Sequence, residues 1–192
     1  MERSRSIHRA IVCTMVTAFL SFAAPAEQAC AQTQRSPAEL AESLWQQGYF
    51  LHVLGEYGQA VVLFERSIAV HPTAEGHTFL GWSLSHLGQV EEAIAECKKA
   101  IAIDPDFGNP YNDIGVYLIG LGRSDEAIAW LEKAMRAKRY CCYQFPYFNL
   151  GRILLKKGEV TEARRLFERA LEYDPEYEPA KMAIEEIRKS WL

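Results

Sequence analysis

A chain of 192 residues that is 49% hydrophobic and 24% charged has the ordinary composition of a soluble globular protein. Its net charge of −4 gives no electrostatic ground for nucleic-acid binding. No glycine-rich phosphate loop, HExxH, paired CxxC or GxSxG occurs, so no catalytic residue, metal ligand, cofactor or small-molecule substrate is assigned.

In chain order, residues 1–9 carry Arg3, Arg5 and Arg9 against a single Glu2. An apolar run from Ala10 to Ala26 follows, broken only by small or weakly polar residues such as Thr14, Thr17 and Ser21. Ala29-Cys30-Ala31 then puts small residues at −3 and −1 of a cleavage before Gln32. Positive, apolar and small-residue zones in that order read as a secretory signal peptide over 1–31. An uncleaved membrane anchor is the alternative, for which the run is short. A lipoprotein signal would want an aliphatic residue three before Cys30, where Glu27 stands. The expected location is exported, periplasmic or extracellular, with membrane contact only through an uncleaved N-terminal segment. Cleavage leaves Cys97, Cys141 and Cys142, an odd number for an oxidising compartment.

Ser36-Pro37-Ala38-Glu39 is a capping box with proline at the first helical position, which predicts a helix start here, within an N-terminal lead-in of the first helix over 32–40. Leu40, Leu44, Gly48, Leu51, Val53 and Leu54 supply its expected apolar stripe, and Gly55 ends it. A second helix is predicted from Tyr57 to Val70, with Ala60, Leu63, Phe64 and Ser67 inward and Pro72 as the stop. Further helices are predicted near 74–87, 90–103, 109–121, 124–138, 146–157 and 160–173. A last one starts at Glu178-Pro179-Ala180, with Met182, Ile184 and Ile187 on a half-polar helix suited to covering an open end.

These helices follow one skeleton. Gly81, Gly88, Ala93, Ala100 and Pro105 stand at steps of seven, five, seven and five residues. Gly48, Gly55, Ala60 and Pro72 match it, as do Gly151, Gly158, Ala163, Ala170 and Pro175; Gly115, Gly122, Ala127 and Ala134 lack only the proline, replaced by Arg139. The copies are spaced 33, 34 and 36 residues apart. On these residues, with Leu80, Tyr147, Leu150 and Phe167, the chain from about residue 36 onward resembles the tetratricopeptide-repeat family, in an exported bacterial form. The resemblance implies an all-α fold, a right-handed superhelical solenoid of four helical hairpins plus a C-terminal capping helix. Its units fall at 41–73, 74–107, 108–141 and 142–177, with the cap at 178–192. In this register Cys97 takes the place of Phe64, Leu131 and Phe167, a small buried hydrophobe.

The resemblance also implies a non-catalytic scaffold whose first helices line a concave groove, holding an extended peptide or a helix of another protein. The groove positions carry over to Trp45, Tyr49, His52, Trp82, His86, Asn109, Asn112, Phe148, Arg152 and Lys156, an aromatic end and a basic end. Aromatic residues and arginine dominate binding energy at interfaces; the competing reading of Trp45 and Trp82 is simple packing between units. Some family members clamp a partner's terminal carboxylate with basic and Asn-rich first helices. Here Trp45, Tyr49 and Trp82 stand at those places without Lys or Arg, against a chaperone-tail receptor.

Two features break the regularity. Residues 32–135 carry six basic and fourteen acidic side chains, whereas 136–165 carry eight basic ones against Glu159 and Glu162, net +6. That basic belt is either an attractor of acidic partners or a solvated helical face. The junction from Arg139 to Phe148 has two extra residues and five aromatics. It reads as a lengthened helix and loop whose rings fill a widened gap, or as a partner-contacting protrusion. Within it, Cys141-Cys142 raises a rival role in thiol-redox or metal chemistry. A third role is that of a structural subunit of an envelope assembly that uses its hairpin edges.

Overall fold

A computed structural model describes residues 36–189, so the expected signal segment lies outside the described part of the chain. The helices are α1 (Pro37–Val53), α2 (Tyr57–Val70), α3 (Ala74–His86), α4 (Val90–Ile103), α5 (Asn109–Gly120), α6 (Ser124–Arg136), α7 (Gln144–Lys156), α8 (Val160–Tyr173) and α9 (Glu178–Lys189). Four hairpins, α1–α2 to α7–α8, follow one another, and α9 closes the row.

Each hairpin turns by the same device. The residue after the turn glycine donates its N–H five residues back: Glu56 to Leu51 O, Gln89 to Leu84 O, Arg123 to Leu118 O and Glu159 to Leu154 O, at 2.8–2.9 Å. This closure requires a left-handed residue just past the helix, and Gly55, Gly88, Gly122 and Gly158 have φ of 76–85°. The second helices end differently. His71, Asp104 and Asp174 precede prolines and take extended backbone, as the proline ring demands of the residue before it.

Close approach within a hairpin depends on the glycines of the first helices. A Cβ on Gly115 would lie 2.5 Å from Leu131 Cδ2, and one on Gly151 2.6 Å from Phe167 Cε1. The bulky residues of the second helices therefore rest directly on first-helix backbone. One buried cluster runs from Ala93 and Cys97 through Ile114, Tyr117, Leu118 and Leu131 to Leu150 and Ile153, joining the second, third and fourth hairpins. Ala180 and Ile187 of α9 cover Ala163, Phe167 and Ala170 of α8. The capping box holds: Ser36 Oγ accepts from Glu39 N at 3.2 Å and Glu39 Oε2 from Ser36 N at 2.7 Å.

Three expectations need correction. In α1 the buried line is Ala41, Leu44, Gly48 and His52, while Leu40, Val53 and Leu54 are exposed. Ser67 fixes that rotation by donating to Ala41 O at 2.6 Å, which draws α2 onto the small-residue side of α1. The junction between the third and fourth hairpins contains no lengthened helix. Helix α6 stops at Arg136, Ala137 turns extended, and Phe107 and Arg139 form an isolated bridge: Arg139 N donates to Asp106 O at 2.8 Å and Gly108 N to Arg139 O at 3.1 Å. Arg139, at the place of the missing proline, also reaches Asp104 (2.7 Å) and Glu75 (2.6 Å) and lies over the Phe107 ring. Tyr140 packs on Gly108, Tyr143 on Tyr140 and Tyr173, so the added rings fill space between units.

The third correction concerns the basic belt. Arg136, Lys138, Arg139, Lys157, Arg164 and Arg165 all pair with carboxylates. Among the described residues, Arg152 and Lys156 remain as the exposed members without an ion pair, which narrows the belt to one turn of α7.

Candidate interaction groove

Helices α1 and α3 bring five of the expected residues into one connected set of rings. Trp45 stacks on Tyr49 at 5.8 Å, and both meet Phe79 edge-on at 5.1 and 5.4 Å. Phe79 meets Trp82 at 5.4 Å, Trp82 stacks on His52 at 5.6 Å, and His52 contacts His86 at 5.4 Å. Tyr57, from the start of α2, stacks on His86 at 4.3 Å. Offset and edge-on rings of this kind add attraction beyond their buried area. Trp45 and Tyr49 are half-buried, His52 is buried, and Trp82 and His86 are exposed. His52 Nδ1 sits 2.9 Å from Ser83 Oγ; burial lowers its pKa, helped by the charge of His86.

The other five separate. Asn109 is half-buried at the start of α5. Asn112 is buried, accepts from Asn149 Nδ2 at 3.2 Å and points its own amide to Asp113 Oδ1 at 3.5 Å, so it works between helices. Phe148 is half-buried against Phe167 and Tyr177. Arg152, 5.8 Å over the Phe148 ring, and Lys156 are exposed at the other end of the array.

Between α3 and α5 lies a cleft of about 490 Å³, lined by Trp82, Ser85, His86, Val90, Asp113, Val116, Tyr117, Gly120 and Leu121. Trp82 keeps 37% of its surface exposed there, while Asp113 is 6% and Tyr117 9% exposed. Asp113 Oδ2 and the Tyr117 hydroxyl are buried and complete no hydrogen bond. Burial pushes the Asp113 pKa up to about 7, against the lowering pull of the nearby Trp82 indole and the Asn112 amide. The Tyr117 phenol is raised by burial and then by the Asp113 charge, against a lowering pull from the nearby Ser85 hydroxyl, with which it completes no hydrogen bond. Sequence reasoning missed Phe79, Asp113 and Tyr117. The signal was a carboxylate, Asp113, two residues before the packing glycine Gly115, where the second unit has Phe79 and the fourth Asn149.

Paired helices repeated along one row, with a glycine-tightened core and a side-chain-lined face, define a helical-repeat scaffold. A tetratricopeptide-repeat family model matches residues 74–107 and 145–177, and a second such model matches 96–129, reading α4 with α5 half a unit out of phase. The human (Homo sapiens) DnaJ homolog subfamily C member 3 is 28% identical over 121 residues, 63% of this chain and 24% of that protein. The chain thus spans about a quarter of the length of the curated relatives it matches. Among solved structures, PilF of Pseudomonas aeruginosa superposes with a TM-score of 0.76 at 22% identity, covering 81% of this chain and 71% of that one. YrrB, described as a tetratricopeptide-repeat protein with an unusual peptide-binding site, gives 0.60 at 19% identity over 74% of this chain and 73% of its own. The chain is a tetratricopeptide-repeat protein.

Proposed function

We propose that this protein is an exported, non-catalytic scaffold that binds an extended segment or a helix of a partner protein along the face formed by α1, α3, α5 and α7. One observation carries the reading: Trp82 belongs to the ring network yet leaves a third of its surface open on a cleft of about 490 Å³ between successive first helices. Large rings held rigid by neighbours and open on one side are the anchors on which interface energy concentrates. Protein binding is the common work of the repeat family, and the peptide site described for YrrB is a structural parallel. Trp45, Tyr49, Trp82 and His86 form the aromatic end, and Phe148, Arg152 and Lys156 the basic end; His52, Asn109 and Asn112 support the surface from beneath. No helix among the described residues is long and apolar enough to cross a membrane. Export itself rests on the charged, apolar and small-residue zones of residues 1–31.

The thiol-redox alternative is less well supported. Cys141 and Cys142 lie side by side, and burial followed by the neighbouring sulfur pushes the Cys142 thiol up to about 12. A thiol held that far up offers little thiolate for exchange at neutral pH.

The test is site-specific photo-crosslinking in the native host. A photoreactive residue replacing Trp82 is expected to capture a defined protein, whereas the same residue at exposed Glu126 on α6 captures none. Adducts formed equally from both positions remove the groove from the account.

A further inference from the structure

We infer that the cleft between α3 and α5 receives the guanidinium group of one arginine side chain carried by the partner's bound segment. The inference rests on the groove reading and adds to it the chemistry of the residue that enters.

Two acceptors decide the sign of the ligand. Asp113 Oδ2 and the Tyr117 hydroxyl oxygen are buried in the lining of one cleft and complete no hydrogen bond within the chain. A buried acceptor without a donor is costly, so whatever fills the cleft is favoured if it brings N–H groups. No lysine or arginine lines the cleft, and residues 32–135, which contain it, carry six basic against fourteen acidic side chains. A carboxylate or phosphate entering here would face the Asp113 charge with no lysine or arginine to offset it. Among cationic groups, guanidinium fits the wall as well as the floor. It has five N–H donors in a plane and no acceptor, so it can reach Asp113 and Tyr117 together. The exposed part of the Trp82 ring, which lines the same cleft, offers a cation–π partner for the group. An ammonium group carries the charge and three donors but has no planar fork to lie against the ring while it bonds both acceptors.

The probes are N-acetyl-arginine methylamide and its neutral near-isostere N-acetyl-citrulline methylamide, titrated into the full chain with the Trp82 indole N–H followed by NMR. The expected result is a saturable shift with the arginine probe, binding about tenfold or more tighter than citrulline, as charge-assisted hydrogen bonds predict. That preference is expected to vanish in Asp113→Asn, a near-isosteric change, and to survive in Glu126→Gln, which lies on α6 outside the cleft. Equal binding of the two probes, or an arginine preference retained by Asp113→Asn, overturns the inference. The two readings fail separately. A partner captured at Trp82 through an arginine-free segment overturns the inference and leaves the groove standing. Selective arginine binding without any groove adduct removes the groove and keeps the chemistry of the cleft.

Discussion

Asp113 is held in a place that penalises its charged form as long as the cleft contains no cation. Its carboxyl has an ordinary value of 3.8 when exposed and about 7 in the folded chain, with burial as the main cause. Cys97, Tyr117 and Tyr140 face it, and each is pushed upward by burial and then by the Asp113 charge, so none of them ionises near neutrality. The sign of the linkage follows. Below about pH 3.8 both states are protonated and burial of the ion costs nothing. As pH rises toward 7 the unfolded chain releases this proton while the folded chain retains it, so stability falls, and above 7 the penalty is complete. Asp113→Asn is therefore expected to stabilise the protein by about 2–4 kcal/mol at pH 8 and by almost nothing near pH 4, read from urea unfolding at the two pH values. A residue that weakens its own fold is a candidate for work on a ligand. Its place two residues before Gly115 was a faint signal of burial, outweighed because one Asp on a helix is normally a surface residue. Trp82 of α3, Cys97 of α4 and Tyr140 of the third junction make this face of α5 an interior one.

Helix boundaries show where the repeat logic is sufficient and where it is overridden. The starts and ends of α2, α3, α4 and α8 were legible because glycine and proline act through the backbone itself, independently of what packs nearby. The burial line of α1 was less legible: Leu40 and Ala41 are both apolar, and the Ser67 hydroxyl on Ala41 O decides between them from another helix. At the third junction the filling role of the rings was legible but the path of the chain was not, since the partners of Lys138 and Arg139 lie 32 and 64 residues away in sequence. A family-guided eye would restore the missing proline at Arg139. The opposite outcome is expected. Arg139→Pro removes the N–H that donates to Asp106 O and the guanidinium that holds Glu75 and Asp104. It should lower stability by about 2 kcal/mol, the sum of one backbone hydrogen bond and two partly exposed ion pairs, measured by chemical denaturation.

At the level of the whole molecule, stability is carried by neighbour-on-neighbour burial, and each end has its own problem. At the C-terminal end Ala180 and Ile187 hide the face made by Ala163, Phe167 and Ala170. Deleting residues 178–192 uncovers that face. The truncated chain should unfold at lower denaturant, lose amide protection first in α7 and α8, and self-associate at concentrations where the full chain does not. Hydrogen exchange and light scattering on the two forms check this. The overall architecture was open to the sequence because identical spacing was repeated four times; the cleft was not, because it belongs to the single pair α3 and α5. The strap formed by Arg139 bears on selectivity in a different manner. By tying the exit of the third hairpin to the turn before it, it removes a hinge between the acidic hollow and the cationic turn of α7. On the proposed reading of the groove, two docking points on a stiff frame would act as a ruler, so that a ligand would be chosen by the number of residues separating its own matching groups as well as by what those groups are.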